Sequence, residues 1–356
     1  MTCGKLVGIT YLHHDMTQKQ RLWVTASEVA RRAGVSRSAV SRAFTPGASI
    51  APETRERVMK AANAMGYQVN MIAREMIQQR SSLVGVVTAG FENPFRARLL
   101  AHISLALTQH NLSPLVMNAE DPAQTKHSLE MLLSYRIAGV IMTSASPPLD
   151  LARQYLKLKV PVTLINRGAE LDEADVVVSD NAGGGALAAR MLIDTGATRL
   201  AFIGPSKTSY SGKSRRAAFL RAVKSVVGAR GEPVATIVTP ADDYASGVNA
   251  ALELLAQPPQ QRPDGVFCSS DLLALGFIDI ARQRFNLRVP QDIAVVGFDD
   301  IPAASYENYE LSTIRQDTEG LANVAVKMLM ERMDSFRGAS RVRAVPVSSV
   351  VRRTCE

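Results

Sequence analysis

From Val24 onward the apolar positions fall at helical spacing in three short runs. In the first run Val29, Ala30 and Ala33 share a face. Thr25-Ala26-Ser27-Glu28 opens it as a capping box, in which a Thr hydroxyl accepts an orphan backbone N–H and a Glu reaches back. Gly34 permits the left-handed conformation that ends it, and Val35 fills the turn. Ser36 caps a second helix reaching about Phe44, with Val40 inward. Pro46-Gly47 breaks the chain; Pro52 opens a third helix to Ala64, striped by Val58, Ala61, Ala62 and Met65 and closed by Gly66. Residues 1–22 carry no such period and read as a flexible extension, with Met16 an alternative start.

Beyond residue 80 the pattern changes to apolar runs separated by helical stripes. The expected strands are Leu83–Thr88, Leu115–Asn118, Gly139–Met142, Val162–Asn166, Val176–Ser179, Leu200–Gly204, Ala235–Val238, Gly265–Ser269, Ala294–Phe298 and Ala344–Ser349. Near-continuous apolar character suits strands covered on both faces. Phe95, Leu99, Ile103, Ala106 and Leu107 stripe one intervening helix; Phe219, Ala222, Val223, Val226 and Val227 stripe another. The alternation predicts two α/β subdomains.

Composition adds boundaries. The chain has 356 residues, 46% hydrophobic and 21% charged, which is globular and speaks against wholesale disorder. No run approaches a membrane span, and no secretory signal opens the chain, so a cytoplasmic protein is expected. Cys3, Cys268 and Cys355 are too few and scattered for a disulfide framework or a zinc site, and five histidines show no metal spacing. The charge is unevenly spread. Residues 1–80 hold 12 Lys/Arg against 5 Asp/Glu, and the remainder 29 against 28, so nearly all of the net +8 lies in the first quarter. A basic helical unit on a neutral body is the footprint of nucleic-acid binding.

The second helix exposes Arg37, Ser38, Ser41 and Arg42. Arg bonds a guanine edge bidentately, and Ser serves a base or a phosphate. These residues also carry a resemblance. Val24-Thr25, Gly34-Val35-Ser36, Val40-Ser41-Arg42-Ala43, Thr54-Arg55-Glu56-Arg57-Val58 and Met65-Gly66-Tyr67 resemble the headpiece of the LacI/GalR transcriptional regulators. The resemblance extends to the chain's end through Asn93-Pro94-Phe95, Asp180-Asn181, Phe202-Ile203-Gly204, Cys268-Ser269-Ser270-Asp271, Val295-Val296-Gly297-Phe298-Asp299-Asp300 and Leu311–Gln316. It implies an all-α helix-turn-helix headpiece joined to a periplasmic-binding-protein-like α/β domain. The expected segments are an extension at 1–22, a DNA-binding headpiece at 23–67, a hinge at 68–80 and an effector and dimerisation domain at 81–356.

The family pattern assigns DNA contact to Thr25, Ser36, Arg37, Ser38, Ser41 and Arg42, and in the hinge to Asn70, Ala73 and Met76. Met76 takes a minor-groove wedge position where leucine is usual, and Val69 stands where proline is usual. It assigns effector contact to Phe95, Asn166, Arg167, Arg215, Tyr244 and Asp271. Phe95 is expected on the cleft lip, Arg215 on ligand oxygens and Tyr244 in an apolar wall. Asp271 is expected to take two hydroxyls or cap a helix. Asn166 replaces a usual acid, and Lys207, Lys213, Arg215 and Arg167 add positive charge, which favours an acidic sugar over a neutral one.

Two motifs mislead. Gly183-Gly184-Gly185-Ala186-Leu187-Ala188 loosely fits a dinucleotide fingerprint, but the next strand runs into Pro205-Ser206 without the ribose-binding acid. Gly212-Lys213-Ser214 imitates a P-loop, but Lys207 stands where its glycine belongs. No nucleophile or paired-carboxylate set stands out, so no enzyme and no cofactor is expected. A solute-binding protein would lack the headpiece. The expectation is a dimeric repressor on near-palindromic double-stranded operator DNA, bound to a small sugar or sugar acid. The final Arg352-Arg353-Thr354-Cys355-Glu356 has no heptad tail, so tetramers through such a tail are not expected.

Overall fold

The computed structural model describes residues 23–70, 81–119, 127, 130–143, 149–168, 171–205, 209–227 and 234–356. The chain divides into two compact units at Arg80/Ser81. The expected extension, the hinge positions Ala73 and Met76, and Lys207 lie outside the described residues.

The first unit contains α1 (Ala26–Ala33), α2 (Arg37–Ala43) and α3 (Pro52–Met65). Its boundaries are set by local chemistry. Thr25 and Glu28 form both halves of the capping box, and Gly34 ends α1 at φ 63°. Ser36 accepts from the Ala39 N–H at 3.2 Å and so caps α2. Val29, Ala30, Val40, Ala43, Val58, Ala61 and Ala62 form the core. Arg55 of α3 then fixes the loop before it, donating to the carbonyls of Ala43 (2.5 Å) and Ala48 (3.2 Å).

The second unit holds two six-stranded sheets. Lobe A contains β1 (Leu83–Thr88), α4 (Pro94–Gln109), β2 (Ser113–Asn118), β3 (Gly139–Thr143), α5 (Leu149–Lys157), β4 (Val162–Ile165) and β5 (Asp175–Ser179). Lobe B contains α6 (Asn181–Asp194), β6 (Leu200–Pro205), α7 (Tyr210–Val227), β7 (Ala235–Thr239), α8 (Tyr244–Leu255), β8 (Gly265–Cys268), α9 (Asp271–Gln283), β9 (Ala294–Asp299) and β10 (Ser312–Gln316). The chain returns to lobe A as α10 (Thr318–Asp334) and β11 (Val342–Val345), then ends in lobe B with β12 (Val347–Val350). The sheet orders are β11-β5-β4-β3-β1-β2 and β12-β10-β9-β8-β6-β7, parallel except where β12 meets β10. Both faces are covered, which explains the apolar runs.

Three expectations need correction. The single strand expected over 344–349 is two strands in different sheets. Pro346 lies between them, where a residue without an N–H cannot continue a ladder. Ser312–Gln316 pairs with β9 and β12 although its polar sequence hid it as a strand. Val226 is 64% exposed, off the buried Phe219/Val223 line of α7.

The chain therefore crosses between lobes at Asp180, Asp317 and Pro346. Asp180 caps α6 and Asp317 caps α10, each accepting from an N–H three residues on. The first and third crossings touch directly, with Asp180 N–H donating to the Val345 carbonyl at 2.8 Å. The triple glycine follows the first crossing. A Cβ at Gly183 would lie 2.2 Å from an Asp180 oxygen, at Gly184 2.6 Å from the Phe298 ring, and at Gly185 2.4 Å from the Arg215 carbonyl. Its glycines serve close packing of α6 against α7 and β9, not a dinucleotide.

Candidate functional site

On the first unit, α2 presents Arg37, Ser38, Ser41 and Arg42 to solvent, together with its cap Ser36. Val40 and Ala43 face the core. Two adjacent pairs of polar positions are therefore free to meet a groove while the apolar ones between and after them hold the helix down. Thr25 is half-buried, its hydroxyl donating to Glu28 at 2.7 Å. Asn70 is exposed.

In the second unit the strand ends converge on Arg215. It projects from α7 and is 5% exposed. Its Nε donates to Asn181 Oδ1 at 2.8 Å, and one Nη donates to the Ser269 carbonyl at 2.6 Å. The guanidinium lies 3.5 Å over the Phe298 ring, and the Asp299 carboxylate stands 3.9 Å away. The bonds continue in a closed ring. Asn181 donates to the Ser179 carbonyl at 2.9 Å, the Ser179 hydroxyl donates to Gln316, and Gln316 Nε2 donates to Asp299 at 2.5 Å. Ser179 ends a strand of lobe A and Gln316 a strand of lobe B, so the ring spans both lobes.

Burial pushes the Asp299 carboxyl well above the usual range, with Arg215 the main opposing influence. Burial also lowers Arg215, against the pull of Asp299, Asp242 and Asp271, but from so high a starting value that it keeps its charge. The buried Asp242 Oδ1, Ser269 Oγ and Thr239 Oγ1 have no protein partner. Unpaired acceptors and hydroxyls of this kind at strand ends suit a hydroxyl-rich ligand. Among the described residues no cluster of His, Cys, Asp and Glu could hold a metal ion, and no helix is long and apolar enough to cross a membrane.

The remaining sequence-derived residues are placed unevenly. Asn166 directly follows β4 at φ 56°, and its Oδ1 accepts from the Ser179 N–H at 3.0 Å, beside the ring. Arg167 follows it, half-buried. Phe95 is half-buried and packs against apolar clusters of both lobes. Asp271 is fully buried as the first residue of α9; the N-cap is Ser270, correcting the expected cap. Tyr244 instead donates its hydroxyl to Asp279 at 2.6 Å, well along α9 from the strand ends. Asp279 also accepts from Tyr309 at 3.0 Å. Sequence reasoning missed Asp299, Gln316 and Asn181. The available signal was a buried apolar run, Ala294–Phe298, ending in two acids. A separate cavity of about 310 Å³ lies between α7 and the β6–β7 edge, lined in part by Phe202, Pro205, Lys213, Arg216 and Val238. None of the expected effector contacts lines it.

Comparison with known proteins agrees with this geometry. Residues 25–70 match the model of bacterial regulatory proteins of the lacI family, and residues 189–355 that of a periplasmic binding protein-like domain. The chain is 30% identical to the HTH-type transcriptional repressor PurR of Erwinia tasmaniensis over 334 residues, covering 93% of this chain and 96% of the relative. It is 29% identical to the regulator GalS of Salmonella typhimurium, covering 86% and 89%. A lac repressor dimer bound to operator and the anti-inducer ONPF superimposes with a TM-score of 0.83 at 25% identity, covering 94% and 99%. A CelR–cellobiose complex gives a TM-score of 0.69 at 26% identity, covering 93% and 99%. A DNA-reading three-helix unit, a two-lobed ligand domain and relatives that span nearly the whole chain lead to one conclusion: the protein belongs to the LacI family of DNA-binding transcriptional regulators.

Proposed function

We propose that the protein is a cytoplasmic repressor that binds a near-palindromic operator as a homodimer and releases it when a small sugar or sugar acid occupies the site around Arg215 and Asp299. The observation that carries this reading is the pairing of an exposed Arg37–Arg42 row with a buried ring that joins the strand ends of both lobes. Residues 23–67 form the headpiece, 68–80 the hinge and 81–356 the effector and dimerisation domain. Arg37, Ser38, Ser41 and Arg42 read the major groove, with Thr25 and Ser36 on the backbone. Asn70, Ala73 and Met76 act from the hinge in the minor groove, where Met76 unstacks a base step.

Effector binding acts through its differential affinity for two lobe arrangements, changing the spacing of the paired hinges. Arg215 and Asp299 supply a donor and an acceptor side by side, which matches adjacent hydroxyls. Phe95, Asn166 and Arg167 approach from lobe A. Asp271 contributes from behind the site, because both of its oxygens already accept protein hydrogen bonds. Tyr244 remains a contact only for a ligand that reaches α8. The acidic preference rests on Arg167 and on Asn166 in place of a usual acid, since Asp242, Asp271 and Asp299 surround Arg215 and Lys213 lines the separate cavity.

The experiment is a band shift with the protein's own upstream DNA at moderate salt, followed by calorimetry with gluconate and glucose. Retention of the specific band against random competitor, and its loss with the sugar that binds, are the expected results. Indifference to sequence would overturn the regulatory reading. Binding of neutral sugars alone would remove the acidic preference.

A further inference from the structure

The turn after β9 is shared by the candidate site and the opposite lobe. Asp299 and Asp300 occupy φ 125° and φ 54°, neither being glycine, so the turn persists only because its surroundings hold it. Asp300 is held to lobe B by its carboxylate, which accepts from Arg315 at 2.6 Å and Arg352 at 2.7 Å. The next peptide is gripped on both edges. Its N–H, from Ile301, donates to Asp271 Oδ2 at 2.8 Å. Its C=O, from Asp300, accepts from Arg98 Nη1 at 3.1 Å. Arg98 stands on α4 of lobe A, three residues after Phe95, whose ring packs against the apolar clusters of both lobes.

A peptide unit is planar, so its N–H and C=O turn together. Whatever aims the Ile301 N–H also aims the Asp300 carbonyl at Arg98. Asp271 does the aiming: it is fully buried, its other oxygen accepts from Thr313 Oγ1 at 2.5 Å, and Gly297 leaves it room, since a Cβ there would lie 2.2 Å from Oδ1. Asp299, the first residue of the turn, is a member of the Arg215 ring. A ligand that displaces Asp299 works against a backbone with few alternative conformations, and the Asp300 carbonyl rotates out of line with its donor.

We propose that the Asp300–Ile301 peptide is an interlobe latch, closed by Arg98 and aimed by Asp271, through which the effector site sets the arrangement of lobe A. Arg98 and Asp271 are thus positioning residues for the effector response. The proposal rests on the reading that the effector binds beside Arg215 and Asp299, but its first test needs neither DNA nor ligand.

Spin labels at Gln154→Cys on α5 and Glu253→Cys on α8, both exposed positions, report the interlobe distance by pulsed EPR. The full chain carries Cys3→Ser and Cys355→Ser and is diluted with unlabelled protein. Arg98→Ala is expected to shift or broaden the distribution by several ångströms, and Arg98→Lys, which keeps a donor on a shorter arm, to fall between Ala and the parent. A distribution for Arg98→Ala that superimposes on the parent overturns the latch. So does a shifted distribution in a variant whose operator is released by the calorimetrically identified sugar as in the parent. Failure of the regulatory reading is seen separately, as absence of specific DNA binding by the parent.

Discussion

Ser179, the last residue of β5, donates its hydroxyl to the side chain of Gln316, the last residue of β10, so one buried bond joins the two sheets where the chain passes between lobes. Through Gln316 the bond reaches Asp299, and through Asn181 it returns to Ser179 by way of Arg215. The buried Arg215–Asp299 pair and the residues flanking the interlobe crossings are therefore linked in one loop, closed by the 3.9 Å contact between Arg215 and Asp299.

Gln316→Ala removes a donor to Asp299 and an acceptor for Ser179, both buried. An unsatisfied buried group costs about 1–3 kcal/mol, so the variant should lose stability by roughly that amount per orphan. Urea midpoints of parent and variant at pH 7 measure it. An unchanged midpoint would mean that water replaces Gln316 freely and that the ring is not tight.

Asp271 gives a pH signature. Burial raises its carboxyl to about 6, against the opposing bonds from Thr313 and Ile301 and the charge of Arg352, with Asp300 adding to the rise. The folded state therefore holds a proton that the unfolded chain releases near the ordinary carboxylate value. Stability from this group is present below that value and is lost as pH rises toward about 6. Asp300 and Asp175 are shifted the other way by their arginines and lose stability as pH falls. Comparison with Asp271→Asn isolates the first effect: the parent should weaken relative to the variant between pH 4 and 7, read by denaturant midpoints. A constant difference across that range would contradict it.

The headpiece was legible because its determinants are local. Thr25 to Glu28, Ser36 to Ala39 and the turn at Gly34 all act within a few residues. Most strands were legible as apolar runs. The strand Ser312–Gln316 was not, because its side chains serve polar partners: the Arg352 carbonyl, Asp271, Asp300 and Asp299. The site was half legible. Arg215 followed from the resemblance, but its partners Asn181, Ser269 and Asp299 are brought in by folding from distant segments, which no local pattern announces. The partner of Tyr244 was hidden for the same reason: Asp279 lies on the next helix.

Arg37→Ala tests the groove contact. If Arg37 reads a base, the change costs about 1–3 kcal/mol and relaxes preference at one position of each half-site. Binding to a library of half-site variants checks both. A uniform loss over all sequences would place Arg37 on the phosphates instead.

Asp299→Asn tests the effector site. The substitution keeps the shape of the side chain and an oxygen that accepts from Gln316 while replacing the carboxyl beside Arg215 with an amide. Sugar affinity should fall at least about tenfold, roughly 1.4 kcal/mol, with operator affinity unchanged in the absence of sugar. Calorimetry and fluorescence anisotropy measure the two sides. Equal sugar affinity in parent and variant would move the ligand away from Asp299.

Fluorescence anisotropy of a labelled upstream duplex, titrated with full-length protein with and without the sugar found by calorimetry, tests DNA reading and ligand sensing together. Expected is specific binding about 10³-fold or more tighter than to random duplex, weakened by the sugar. Equal affinity for both duplexes, or specific binding that no concentration of the bound sugar alters, would contradict the union of a DNA reader with a ligand sensor in this chain.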